Sequence, residues 1–462
     1  MADLPAQLRA YAATVLDPVE EVGATEILQR SARPAHPRRW RAALVGGVTV
    51  ALVAAVAIGT ATLKSRSSPR ITSGALPTTW SRLDTLQDAP FITAMASRGH
   101  GVVAAGEGIW YSRDAGSWTQ VLDPSALSGG RNGSRSLAGL LGQLGQLTDV
   151  IVGGPGYVAV GQADDPATQR AVAAVWTSTD GRRWVRAPSP ALAPPTPPIP
   201  DGVETPVRGY IQSVSDGGPG LVAVGGVFGG AFSGGELVSQ PYDPAVWTSP
   251  DGAHWSRVDT GSVFGSRTGI SPLLSLSAVT EDGRQLVLAA TNRDTTTIFE
   301  SPDGSHWRRT ASIPGTISQM TESRDRLVAV GSQRNAPGGT SQRGVVWTST
   351  DAVHWRQAAV SAPAPFATYT GVASTGDSVV VVGYRGVGEP VEDGVMLVSA
   401  DATRWVAVPE DGGPFAARTT LVGVTSTFGG RYLAFGNQTA SGDGSAASPY
   451  RYRLGLYRST SG

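Results

Sequence analysis

The phrase VWTSPDGAHW, Val246 to Trp255, constrains this chain more than any other feature because it recurs. Complete copies end at Trp118, Trp184, Trp255, Trp307, Trp355 and Trp405. Ahead of each lies an apolar run ending on glycine or alanine: at Gly106, Gly161, Gly225, Ala290, Gly331 and Gly383, with a seventh run, YLAFG, ending at Gly436. Each run follows a short alternating stretch such as IQSVSDGGPG, whose Gly, Asp and Ser predict a hairpin turn between two strands. The tryptophan phrase supplies a third and a fourth strand. Successive tryptophans stand 48 to 71 residues apart, the size of a four-stranded propeller blade with variable connections.

The seventh copy stops at GLYRSTSG, Gly455 to Gly462, before any tryptophan. At the other end TTWSRLD, Thr78 to Asp84, matches AHWSRVD, Ala253 to Asp259, inside a complete copy. Trp80 therefore takes the place of the seventh tryptophan. A ring left open would expose strand edges. The expectation is an all-β, seven-bladed β-propeller over residues 79–462, its last blade closed by three C-terminal strands and one N-terminal strand.

Within the phrase, Asp and Ser suit hydrogen bonds that lock the turn, glycine admits positive φ, and tryptophan covers the turn between blades. The acidic position is held by Asp114, Asp180, Asp251, Asp303, Asp351 and Asp401, and the closing position by Trp80 and the six tryptophans above. These residues resemble the Asp-box, or bacterial neuraminidase repeat, of sialidases and several other propeller proteins. The pattern at Ser249, Asp251, Gly252 and Trp255 is one residue tighter than the usual sialidase box, and Asp114, Asp351 and Asp401 lack the glycine that should follow. The resemblance implies architecture over residues 79–462 and structural roles for these turn residues. Its sialidase branch would imply an arginine trio, a Tyr/Glu nucleophile, an acid/base Asp and six blades. The Arg-Ile/Leu-Pro signature of that branch is not found in this sequence, and the blade count here is seven.

Formal charge is zero and the pI near 7.0, so no basic field exists to hold nucleic acid. The chain has no cysteine, which excludes disulfides, thiolate metal sites and cysteine nucleophiles and leaves the redox compartment open. Ala42 to Leu63 forms 22 residues without a charge, enough at ~1.5 Å per residue to cross a ~30 Å hydrocarbon layer as one transmembrane helix. A cleaved secretory signal is the alternative, but the 41 residues ahead of the span are long for one and no small-residue cleavage pattern is clear. Arg30, Arg33, Arg38, Arg39 and Arg41 precede the span, whereas Lys64, Arg66 and Arg70 follow it. That bias orients residues 1–41 as a cytoplasmic tail, 64–78 as a linker, and the propeller as the extracytoplasmic part of a single-pass cell-membrane protein.

Catalytic and metal readings of the repeat are weak. One carboxylate per blade lies too far from the next to share a calcium ion, which takes six to eight oxygens. His254, His306 and His354 each precede a repeat tryptophan and read as solvent-facing turn residues; no metal or cofactor is implied. Short turns gather on one face of the ring and long connections on the other, where binding residues usually reside. Candidates on that face are Asp164, Tyr242, Asp243, Arg293, Arg334, Tyr384, Arg385 and Tyr450, with no catalytic residue assigned. Leucines at helical spacing in LAGLLGQLGQL, Leu137 to Leu147, suggest a short helical lid over the same face. The leading expectation is a non-catalytic binding or scaffold module for a protein or glycan ligand. A sialidase-like or other glycoside hydrolase is the second reading, and a sensor signalling to the cytoplasmic tail the third.

Overall fold

The computed structural model describes residues 76–83, 92–123, 147–165, 171–188, 190–193, 208–218, 220–228, 231–233, 236–239, 242–260, 263–264, 273–278, 285–292, 294–335, 341–361, 367–386, 393–408, 419–441 and 451–460. All belong to one compact unit, Pro69–Gly462. The expected tail, transmembrane span and most of the linker lie outside the described residues. Among the described residues no helix is long and apolar enough to cross a membrane.

The molecule is an all-β, seven-bladed β-propeller. Blade 1 runs Ile92–Arg98, Gly101–Gly106, Ile109–Ser112 and Trp118–Leu122; blade 2 runs Leu147–Gly153, Gly156–Asp164, Ala171–Ser178 and Val185–Arg186. Blade 3 comprises Arg208–Gly217, Gly220–Phe228, Tyr242–Ser249 and Ser256–Val258, and blade 4 Leu273–Ala278, Leu286–Asn292, Thr295–Ser301 and Arg308–Pro314. Blade 5 holds Thr316–Ser323, Arg326–Arg334, Gln342–Ser349 and Arg356–Gln357, and blade 6 Ala367–Ser374, Val379–Arg385, Asp393–Ser399 and Arg404–Ala407. In blade 7, Thr419–Thr427, Arg431–Ser441 and Arg451–Ser459 are joined on the outside by Trp80–Leu83. First strands of successive blades touch all the way round, and that of blade 7 touches that of blade 1.

Ring closure follows the N-terminal match. Trp80 pairs with Ser459 and Leu83 with Leu456, and Thr460 donates its backbone N–H to the Thr79 carbonyl at 2.9 Å. Arg458 reaches on to the Asp114 carbonyl of blade 1.

The core is a set of layers between blades. Seven apolar clusters occur among the described residues, each joining two neighbouring blades, and each holds the repeat tryptophan of the later blade. Trp255 sits against Val175 and Leu192 of blade 2, Trp307 against Val222 and Val224 of blade 3, and Trp80 against Val380 and Met396 of blade 6. Because side chains alternate along a strand, Val175 points into the layer shared with blade 3, and its neighbour Trp176 into the layer shared with blade 1. Each blade is thus an apolar sheet with both faces covered, and its run of Val, Ala and Leu is the consequence.

The glycine that ends each second strand has a specific cause. In blades 1, 2, 3, 5, 6 and 7 the first strand bulges directly after the residue paired with that glycine, as at Ile211/Ser213 opposite Gly225 and Ile317/Gln319 opposite Gly331. The bulge pushes the first strand's backbone inward, so that a Cβ at Gly225, Gly331, Gly383 or Gly436 would overlap the carbonyl of Tyr210, Thr316, Thr368 or Thr420. Blade 4 carries Ala290 instead, paired with Leu274, and there the register runs without a bulge.

Three elements were not foreseen. Residues 231–233 and 236–239 form a small hairpin between the second and third strands of blade 3. Ala359–Ser361 runs parallel to the outer strand of blade 6 as a fifth strand. A 3-10 turn, Pro190–Leu192, wedges between blades 2 and 3, its Ala191 carbonyl accepting from Trp247 Nε1 at 2.9 Å. Leu147, expected at the end of a helical lid, instead opens the first strand of blade 2 and is fully buried; the rest of that stretch lies outside the described residues.

Candidate functional site

Antiparallel order places the turns between first and second strands, and between third and fourth, at one end of the ring. Among the latter, six share one construction. Asp251 Oδ1 accepts the backbone N–H of Ala253 at 2.9 Å and of His254 at 2.8 Å, and Ser249 Oγ donates to the same oxygen at 3.3 Å. Trp255 Nε1 then donates to the Gly252 carbonyl at 2.8 Å. Asp114, Asp180, Asp303, Asp351 and Asp401 each accept the corresponding two amides. Trp118, Trp184, Trp307 and Trp355 donate to the carbonyl three residues back, and Trp80 does so to Pro77 without any box aspartate. Trp405 departs: its Nε1 is buried and finds no partner among the described residues.

The residue after each aspartate is left-handed, φ 72° to 80° at Gly181, Gly252 and Gly304, and 53° to 56° at Ala115, Ala352 and Ala402. The His254, His306 and His354 rings each place Nδ1 2.7 Å from the carboxylate of their own turn. The backbone N–H of His254, followed by its ring, holds the Asp251 carboxyl far below the usual carboxylate range, and His354 acts on Asp351 in the same way. For Asp303 and Asp401 burial works upward, but the turn hydrogen bonds together outweigh it. These aspartates are fully engaged by their own turns. Among the described residues no three His, Cys, Asp or Glu side chains are close enough to hold a metal ion.

The opposite end carries the candidate binding residues, and two of its arginines are paired with carboxylates. Arg334 ends the second strand of blade 5 and sets Nε 2.7 Å from Asp294 Oδ1 of blade 4. Arg385, at the end of the corresponding strand of blade 6, reaches Asp393 Oδ2 at 3.5 Å, and half-buried Tyr384 precedes it. Asp164 closes the second strand of blade 2, its carbonyl accepting from Arg186 at 3.4 Å. Tyr242 and Asp243 pair with Phe228 and Val227 where blade 3 extends toward its small hairpin. Arg293 and Tyr450 lie outside the described residues. Blades 4 to 6 therefore bring Arg334 and, one blade on, Tyr384 and Arg385 to one sector, whereas Asp164 and Tyr242 belong to blades 2 and 3.

Between those ion pairs runs a polar network that the sequence reading missed. Thr296 Oγ1 donates to the Gly315 carbonyl at 2.7 Å and lies 2.8 Å from Thr291 Oγ1. Thr316 Oγ1 is 3.1 Å from Ser332 Oγ, which donates to Gln342 Oε1 at 3.4 Å. Gln342 Nε2 crosses to Thr368 Oγ1 of blade 6 at 2.7 Å. Beneath, Tyr369 is buried against Gly344, its hydroxyl without a partner among the described residues and its pKa pushed up to about 12 by burial. A signal for this network was present: the position after each second-strand glycine or alanine is polar in six blades, as Glu107, Gln162, Thr291, Ser332, Tyr384 and Asn437. Burial pushes the Glu107 carboxyl up.

No family model matches the chain, and no curated protein matches it. Among solved structures it is similar to an α-L-arabinofuranosidase from Fusarium graminearum, at 12% identity over 82% of this chain and 98% of that one, with a TM-score of 0.38. It is also similar to the β-propeller domain of the Trilobed protease from Pyrococcus furiosus, at 10% identity, 63% and 77% coverage and TM-score 0.37. A puromycin hydrolase gives 13% identity, 80% and 52% coverage and TM-score 0.40. Likenesses of this size say nothing of activity.

Proposed function

We propose that this chain is an Asp-box-type propeller, anchored by Ala42 to Leu63 with its ring outside the cell membrane, that binds a polar, uncharged ligand without turning it over. The observation that carries the reading is the sector of blades 4 to 6. There Arg334 and Arg385 are matched by carboxylates, exposed Arg343 donates to Gln333 and Gln357, and hydroxyls with the Gln342 amide run between them across three blades. Thr291, Thr296 and Ser332 are buried beneath, and half-buried Thr316, Gln342 and Thr368 supply hydrogen bonds in both directions, which suits a glycan or the polar face of a protein. Rigid strands hold it, and variable connections surround it.

The test is binding by the full chain in nanodiscs to a panel of neutral oligosaccharides and to solubilised surface proteins, read by interferometry. Changing Gln342 and Arg334 to alanine together should abolish the signal, and raising salt should weaken it little. A ligand retained by that double variant, but lost on changing His254, His306 and His354, would place binding at the other end. Hydrolysis is the second reading: it would need a carboxylate pair facing one pocket, and Glu107, exposed at the end of the second strand of blade 1, is one carboxyl at this end that tests it. Turnover of a fluorogenic sialoside or arabinoside that disappears in Glu107→Gln would favour that reading.

A further inference from the structure

The chain joins its propeller at the box-turn end. Thr79 meets Thr460 where blade 7 would otherwise carry its own box turn, and Trp80 begins the outer strand there. Only twelve residues, Lys64 to Ala75, separate the first described residue, Leu76, from the uncharged span, and even fully extended they reach about 40 Å.

Two hairpin tips flank the junction, and they differ from the other described tips at this end. Blade 7 presents Phe428, 64% exposed, on a turn completed by Gly429 and Gly430. Blade 1 presents His100, whose ring lies 4.4 Å from that of Phe428 at an angle of 49°. Exposed Arg431 stands on the first of these tips, Arg98 of the second turns its guanidinium toward Gly156 of blade 2, and neither tip contains an acidic residue. The corresponding tips of blades 3 and 6 carry Asp216 and Asp377, that of blade 5 carries Asp325 between Arg324 and Arg326, and that of blade 2 is uncharged. The glycines of the Phe428 turn have nothing within 4 Å that a Cβ would meet, so the two glycines themselves stand clear of the rest of the molecule.

We infer that the box-turn end faces the bilayer and that the seam of blades 7 and 1, through Phe428, His100 and Arg431, rests on anionic phospholipid headgroups. The chemistry is that of an interfacial contact: an aromatic ring enters the boundary while the Arg431 guanidinium stays with phosphate. The inference rests on the anchor reading, and it leaves the sector of blades 4 to 6 turned outward.

The sequence lacks cysteine, so single cysteines label cleanly. Full-length chains carrying Ser117→Cys at the seam, Val353→Cys across the same end, or Asn335→Cys at the opposite end are labelled with a fluorophore. They are reconstituted into phosphatidylcholine vesicles with and without phosphatidylglycerol, and quenched by headgroup spin-labelled lipid. Quenching should fall in the order Ser117, Val353, Asn335 and strengthen with phosphatidylglycerol. Arg431→Gln should lower the contact population about fivefold, the contribution of one arginine near an anionic surface. Phe428→Ser should reduce quenching at position 117 in both lipid mixtures. If the chains float with vesicles but position 335 is quenched as strongly as 117, or Phe428→Ser changes nothing, the seam contact is wrong and the anchor stands. Chains that fail to float overturn both.

Discussion

The two ends of the ring are built on opposite terms. At the box end one hydrogen-bond pattern recurs six times, with aspartate-to-amide distances between 2.7 and 3.0 Å. At the other end blade 3 extends a hairpin, blade 4 pairs two threonines, blade 5 strings hydroxyls to an amide, and blade 6 closes an ion pair. Repetition marks what every blade needs in order to fold. Divergence marks where a blade is free to differ, and that freedom is what binding can use. Changes at the repeated end should therefore cost stability, and changes at the other should cost recognition.

The largest effect tests closure. Deleting Thr79 to Asp84 removes Trp80 from the layer between blades 6 and 7 and uncovers the edge of Arg451–Ser459. Aggregation by size-exclusion chromatography and a lower melting temperature are expected, whereas deleting Lys64 to Ser73 should change neither. Equal melting of the two truncations would break the comparison at its root.

Within a closed ring, Trp255→Ala empties a layer between blades 2 and 3 and should cost about 3–5 kcal/mol in denaturant unfolding. Arg334→Ala, at the exposed Asp294 pair, should cost at most about 1 kcal/mol. Gly331→Ala should destabilise strongly because its Cβ would overlap the Thr316 carbonyl, while Ala290→Gly, where no bulge intrudes, should cost no more than about 1 kcal/mol.

That pair of substitutions also shows what the sequence disclosed. The blade count, the closing strand and the glycine runs were legible because each blade repeats them, and even the exception at Ala290 was visible as a letter. Its meaning was not, because the bulge belongs to the partner strand. The Trp405 departure was hidden for a similar reason: the fifth strand beside it, Ala359–Ser361, is set by a connection and not by the repeat. Arg334 and Arg385 were recognisable as residues at the end of long connections, but Asp294 and Asp393 were overlooked, since pairing across a blade or a connection leaves no periodic trace.

Acid sharpens the comparison further. The box carboxylates have folded pKa values below their unfolded values near ~3.9, so their contribution is present above that pH and is lost as pH falls toward the folded values. Melting temperature should therefore drop as the pH is lowered below about 4, and less steeply in Asp351→Asn. An equal slope in the variant would mean that turn hydrogen bonding does not govern acid stability.

The smallest effect lies at the centre, between the two ends. Asp149, on the first strand of blade 2, accepts the Val214 N–H at 3.1 Å and Ser213 Oγ at 3.0 Å. Gln319 makes the equivalent clasp from blade 5, its Oε1 accepting the Val372 N–H at 2.9 Å. Part of the Asp149 surface is accessible, yet its carboxyl group is enclosed, and burial raises its pKa against the pull of those bonds. The sign is opposite to that of the boxes: the folded state prefers the protonated form, so stability is lost as pH rises through the unfolded value toward the folded one. Asp149→Asn keeps an oxygen for Val214, as Gln319 does for Val372, and removes the charge. Its denaturant midpoint at pH 7 should equal or exceed that of the parent by up to about 1 kcal/mol, and the advantage should vanish near pH 4. A variant less stable at pH 7 than at pH 4, relative to the parent, would show that the ionised carboxylate strengthens the clasp more than enclosure weakens it.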